Sequence, residues 1–351
     1  MPRSYTNIKK HGEKKGEIEF EAEIPVETIE EYADDALADF AANFEMQGFR
    51  KGNVPHDIVR KHVGEMELLE RSANEAVRAA IRELIADESL SVLGMPQITI
   101  TKLAPKNPLA FKATFALTPT ITLPDYKAIA KKIREREDSH EVSEKDVDDA
   151  IDRLRKMLAS QMKPSAPAND GEPAPLPEFN DEFVKQLGPF ENVGAFRTEL
   201  KKNLTKEKEV NVKDVKRDEM IREIVKATKV AIPQLLVSQE LEGFIERRDA
   251  ELAGAGLTLD EYLKQTNKTK DILEKEEHAS IEEQIKMSLV FAELRKQEHI
   301  VPDEKEVQLS MLELKHRYPD RDEASLREHA AAASIQKKLF EILEGSEETS
   351  A

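Results

Sequence analysis

The chain has 351 residues, and at roughly 100 to 200 residues per domain that is length for two or three domains. Lys plus Arg number 53 against 70 Asp plus Glu, a net charge of −17, so a general nucleic-acid coat protein is excluded and any phosphate contact has to be local. Aromatics are 5% with no Trp, which favours aliphatic helix packing over an aromatic-lined pocket, and zero Cys rules out disulfides, thiolate metal sites and cysteine nucleophiles.

The N-terminus has no apolar core of signal-peptide length, and the chain has no apolar run of about 18 residues, so the expectation is a soluble cytoplasmic protein. Residues 16–25 alternate: Ile18, Phe20, Ala22 and Ile24 face one way while Glu17, Glu19, Glu21 and Glu23 face the other. This is the period-two pattern of a half-buried strand, with residues 4–10 as its hairpin partner. From 27 to 45 the positions Ile29, Ala33, Ala36, Leu37, Phe40, Ala41 and Phe44 recur at helical spacing. A loop holding Gly48 and Gly52 follows, and Pro55 opens a short helix that ends near Gly64. Residues 65–88 make a further helix that buries Leu68, Ala73, Ala76, Val77, Ala80 and Leu84, and two strands follow at Gln97–Leu103 and Leu109–Leu117. The first segment, 1–118, is thus a compact α+β unit of order ββααα-ββ.

Pro119 and Pro124 mark the exit from that unit, and a charged stretch leads to Ser143, whose spacing to Asp146 resembles an acidic capping box. A helix to about Gln161 follows, so 119–163 reads as a connecting segment ending in a helix. Residues 164–177 hold five of the 17 prolines and read as an extended, semi-rigid linker. The remainder, 178–351, is helical over about 179–187, 194–228, 233–253, 258–266, 268–298, 303–316 and 322–344. Several of these exceed the globular mean of about 11 to 12 residues, which predicts an elongated, mainly α-helical domain with helical arms. The fold class expected for the whole chain is α+β, a small α+β domain joined to that helical domain.

The loop from Gly48 to Pro55 places Phe49 beside Arg50 and Lys51, and from 48 to 62 four cations (Arg50, Lys51, Arg60, Lys61) oppose Asp57 alone. The local charge is opposite in sign to that of the chain. Composition leaves two readings open: Phe49 tucks into the helix junction, or it is presented with the cations.

The run Gly48-Phe49-Arg50-Lys51-Gly52-Asn53-Val54-Pro55 after a ββα entry resembles the ribosome-docking loop of trigger factor, a bacterial chaperone family. The helix through Ile58-Val59-Arg60-Lys61-His62-Val63-Gly64, a Leu93-Gly94-Met95-Pro96 turn, the Phe111–Leu117 strand and the entry Leu176-Pro177-Glu178-Phe179-Asn180-Asp181-Glu182-Phe183-Val184 match in order. The resemblance implies a ribosome-binding domain at 1–118 and a chaperone domain at 178–351. It implies ribosome contacts from Gly48, Phe49, Arg50, Lys51, Gly52, Asn53, Val54, Pro55 and Arg60, made to a ribosomal protein and local rRNA of the large subunit near the exit tunnel. Nascent and unfolded polypeptides are the implied clients, with no membrane partner and with weak self-association into a dimer left open.

Two departures stand out. Asn53 replaces a lysine common in the family, and only the linker fills the place of the family's prolyl-isomerase domain. Fourteen residues cannot build a sheet with a proline pocket, so no isomerase activity and no enzyme is expected. There is no GxxxxGK[ST] phosphate cradle and no HExxH, the eight His are dispersed, and paired acids such as Asp148-Asp149 read as solvated faces. No cofactor, metal or catalytic residue is expected, so client release has to proceed without ATP. Met220, Met287 and Met311 are expected either to line an adaptable client surface or to serve as plain core. The rival reading is a free helical holdase, or a structural adaptor not docked on ribosomes.

Overall fold

The computed structural model describes residues 3–47, 49–138, 141–161 and 176–346. By contacts the chain forms two compact units, Met1–Thr122 with Thr228–Glu293, and Leu123–Ala227 with Leu294–Ala351.

The first unit is organised by an antiparallel sheet of order β1-β2-β4-β3, with β1 Thr6–Lys10, β2 Glu17–Ile24, β3 Val92–Lys102 and β4 Leu109–Leu117. Alternation in β2 and β4 puts Ile18, Phe20, Ile24, Phe111 and Phe115 on one buried face. Phe20 and Phe115 meet edge to face at 5.9 Å between centroids. Onto that face packs α3, Glu65–Asp87, through the small side chains Ala73, Ala76 and Ala80 together with Val77, Ile81 and Leu84. A second cluster joins α1, Val26–Asn43, and α2, His56–Val63, to α3 through Ala36, Leu37, Ala41, Val59 and Leu68.

The expected turn at 93–96 is corrected by the structure. Strand β3 starts at Val92, and Leu93 to Pro96 form an irregularity inside it, where the register to β4 slips between Leu93↔Ala116 and Gln97↔Thr114. The edge position of β3 explains why Pro96, which cannot donate to a ladder, is tolerated there. The same unit contains α8, Gln234–Gly254, α9, Leu259–Thr266, and α10, Lys270–Gln297, as far as Glu293. Val237 of α8 packs with Ile281 and Ile285 of α10.

The second unit contains α4, Tyr126–Arg134, α5, Glu144–Gln161, α6, Asp181–Leu187, and α7, Val193–Ala227, with α11, Glu304–Arg317, and α12, Glu323–Glu344. One apolar cluster brings Val142, Val147 and Ile151 of the α5 region onto Phe183 and Val184 of α6 and Phe196 of α7. The acidic capping box is present: the Asp146 amide donates to Ser143 Oγ at 3.2 Å, and the Ser143 amide donates back to Asp146 at 2.9 Å. At 35 residues α7 is a single helix about 52 Å long.

Helix α4 lies where the sequence reads as a charged stretch. Its signals are the Asp125 carboxylate, which accepts the Ala128 amide at 3.0 Å, and the buried positions Tyr126, Ala130 and Ile133 at i, i+4 and i+7. Residues 162–175, most of the expected linker 164–177, lie outside the described residues. At its C-terminal end the Pro177 carbonyl accepts from Arg155 Nε of α5 at 2.8 Å. Met220 is core, at 2% exposure, whereas Met287 is exposed at 37%.

Candidate functional site

Helix α1 stops at Asn43 because Phe44 turns extended, with φ −78° and ψ 131°. From there the chain is held by short turns: the Phe49 amide donates to the Met46 carbonyl at 3.0 Å, and the Asn53 amide donates to the Arg50 carbonyl at 2.9 Å. Gly52 closes the loop. Its φ of +79° lies in the left-handed region, and a Cβ there would meet the Ala42 carbonyl oxygen at 3.1 Å. The Pro55 carbonyl then accepts the Ile58 and Val59 amides, so Pro55 is the N-cap of α2, one residue before the helical start expected of it.

Both feet of the loop are apolar anchors. Phe44 and Met46 pack on one side, and Phe44 meets the His62 ring edge to face at 5.5 Å. Val54 is the other anchor, at 3% exposure. Expected among the contact residues, Val54 lies buried against the α1–α2–α3 junction, where it holds the foot of the loop.

The tip points outward. Phe49 is 43% exposed, and Arg50, Lys51, Gly52, Asn53 and Pro55 are exposed; Gly48 lies outside the described residues. Of the two open readings for Phe49, presentation is the one observed. Lys51 Nζ lies 3.3 Å from Glu45, with both side chains more than half exposed, so the pair is weak and easily exchanged for another anion. Glu45 is a neighbour that sequence reasoning missed, because it precedes the basic run. Arg60 is exposed on α2 and contributes to a hollow of about 280 Å³ with Val26, Ile29, Ala33, Leu68 and Lys106. It lies within α2, the helix that directly follows the loop.

Among the described residues, one cluster has the side-chain types of a metal site: His11, Glu19 and Glu21 on the outer face of the sheet. A cation is already there. Lys112 Nζ lies 2.5 Å from Glu21 and 3.6 Å from Glu19. The hydrogen bond from Lys112 holds the Glu21 carboxyl below the usual carboxylate range, and the same bond raises the Lys112 ammonium. The arrangement is a cross-strand charge ladder. No described helix is long and apolar enough to cross a membrane.

The bacterial trigger factor family model matches residues 6–154, and the model of that family's C-terminus matches residues 192–343. Curated trigger factors are similar over most of both chains. The protein of Moorella thermoacetica is 22% identical, covering 92% of this chain and 89% of its own length. That of Caldanaerobacter subterraneus subsp. tengcongensis is 24% identical over 85% of this chain and 87% of its own. That of Nocardioides sp. is 22% identical over 81% and 76%. A solved structure of the trigger factor chaperone, from work on promiscuous substrate recognition in its folding and assembly activities, is 17% identical, with a TM-score of 0.52 over 97% of this chain and 99% of that one. An exposed aromatic-tipped loop on a ββααα-ββ unit, helices through most of the remaining described residues and family matches at both ends together place this chain in the trigger factor family.

Proposed function

We propose that this chain is an ATP-independent, ribosome-associated chaperone of the cytoplasm that docks on the large subunit near the exit tunnel and holds apolar segments of nascent or unfolded polypeptides. The observation that carries the reading is the presented tip Phe49-Arg50-Lys51, a local positive charge on a chain of −17, braced by buried Val54 and by Gly52. A loop of this kind combines two weak terms. Arg50, Lys51 and Arg60 neutralise phosphates, and Phe49 adds an apolar contact that salt does not screen.

Client holding is supported by apolar side chains left in solvent: Leu309 and Leu312 on α11 at 65% and 68% exposure, and Val210 and Val215 on α7 at 60% and 52%. Apolar surface of this kind binds without sequence preference, and the net charge keeps the chaperone itself dispersed. Without a nucleotide site, release follows from weak affinity and from the client burying its own apolar surface. Only residues 155–191 separate the two family matches, which supports a member of the family with no isomerase activity.

The test is co-sedimentation with purified ribosomes beside suppression of aggregation of an unrelated unfolded protein. Replacement of Phe49, Arg50 and Lys51 by Ala is expected to abolish the first and spare the second. Aggregation suppression with no ribosome binding by the unaltered chain would instead establish a free holdase, and failure of both a structural adaptor.

A further inference from the structure

Helix α8 starts without a cap of its own. Pro233 at its N-cap has no side chain to accept the first amides, which an isolated helix would leave unpaired. The missing acceptor comes from 218 positions away in sequence: Glu17 Oε1, at the start of β2, accepts the Leu235 amide at 2.6 Å. A carboxylate at that end of the helix also meets the positive end of its dipole.

One turn further along, Gln239 Nε2 donates to the Met95 carbonyl at 2.8 Å. That carbonyl belongs to the irregular stretch of β3, where four steps along β3 from Leu93 to Gln97 oppose two along β4 from Ala116 to Thr114. The irregularity needs Gly94, whose φ is +66° and where a Cβ would lie 3.0 Å from Gln239 Oε1 and 3.4 Å from Leu236 Cδ1. Just upstream, Thr122 and Lys229 exchange both backbone hydrogen bonds, at 3.1 and 3.2 Å. Beyond the contact, Val237 ties α8 to Ile281 and Ile285 of α10.

We infer that Glu17 and the Leu93–Pro96 bulge form a joint that fixes the direction in which the α8–α10 hairpin leaves the sheet, with Glu17 and Gln239 as positioning residues. One carboxylate and one amide, with the Thr122–Lys229 backbone pair just upstream, hold the start of a helix pair whose inner face is already packed, so a small change at the joint is carried along the whole pair. The sheet that supports the joint also supports α3, and against α3 pack α1 and α2, the helices that flank the loop at 49–53. Under the proposed function, the joint therefore sets where the hairpin points when the loop docks. The geometric claim concerns this chain alone and stands or falls without the ribosome.

The experiment uses the full chain, whose lack of cysteine allows clean spin-labelling at introduced sites. One label pair, Asn74→Cys with Lys264→Cys, reports hairpin against docking unit. A reference pair, Asn74→Cys with Thr101→Cys, reports the docking unit alone. The unaltered joint is expected to give one narrow distance for each pair. In Glu17→Ala with Gln239→Ala the hairpin pair is expected to broaden while the reference pair stays narrow, and the Leu235 amide is expected to exchange about tenfold faster. Glu17→Gln, which keeps an acceptor oxygen, is expected to recover the narrow distance. An unchanged hairpin distance in the double variant overturns the joint. So does broadening of both pairs together, which marks a general loss of structure.

Discussion

Phe49 and Lys51 are both exposed at the loop tip, and their physics differs enough to be separated. Two or three phosphate contacts imply a salt slope of about −2 to −3, a loss of roughly 10- to 40-fold in ribosome affinity between about 50 and 200 mM salt. Phe49→Ala is expected to weaken co-sedimentation at every salt concentration with the slope unchanged, and Lys51→Ala to flatten the slope by about one. The Glu45 pair does not alter the sign of this expectation, since an exposed pair contributes at most about 1 kcal/mol. A second residue-scale prediction concerns Glu344, whose carboxylate lies 2.5 Å from Arg217 and 3.1 Å from Lys213. Burial pushes its pKa up, but the hydrogen bonds from Arg217 and Lys213 outweigh this and hold it below the usual carboxylate value. A carboxylate depressed in the folded state contributes stability above its unfolded pKa of about 4.3, and this is lost as pH falls through the folded value. Urea titrations are expected to show Glu344→Gln less stable than the unaltered chain at pH 7, with the two converging as the solution becomes acidic.

At the scale of elements, the loop works because its ends are fixed and its tip is not. Gly52→Ala puts a Cβ against the Ala42 carbonyl in a left-handed conformation, at a cost of about 1–2 kcal/mol. The expected outcome is faster amide exchange across 49–53 and weaker ribosome binding, with the sheet amides unaffected. Most elements were legible in the sequence. Strand β2 and helix α3 advertise their periods over whole segments, and Leu109–Leu117 coincides with its expected bounds. The loop was legible for its exposed tip and not for its anchors: Phe49 to Lys51 stand out by a local reversal of charge and by the motif resemblance, whereas Val54 looks like one more loop residue until the α1–α2–α3 junction closes over it. Helix α4 was hidden because five of its nine residues are Lys, Arg or Tyr, and its apolar positions find their partners only in distant helices. The bulge in β3 looked like a turn because Gly-Met-Pro is turn chemistry; its place at a sheet edge is a property of strand order.

For the whole molecule, the prediction is an activity that should not occur. A protease-coupled proline-peptide assay is expected to give no isomerisation above the uncatalysed rate, since only residues 155–191 lie between the family matches; any turnover above that rate would overturn it. By itself the sequence determined most of the strands and helices, an acidic chain with a local basic loop, and the family, because each is written in local period, charge and short motif. The tertiary structure alone decided the grouping of Thr228–Glu293 with the N-terminal unit, the burial of Val54 and Met220, and the capping of α8 by Glu17. The physical reason is range: periodicity and propensity act over a few residues, whereas a cap supplied from β2 to α8 leaves no mark in either segment until the fold brings them together.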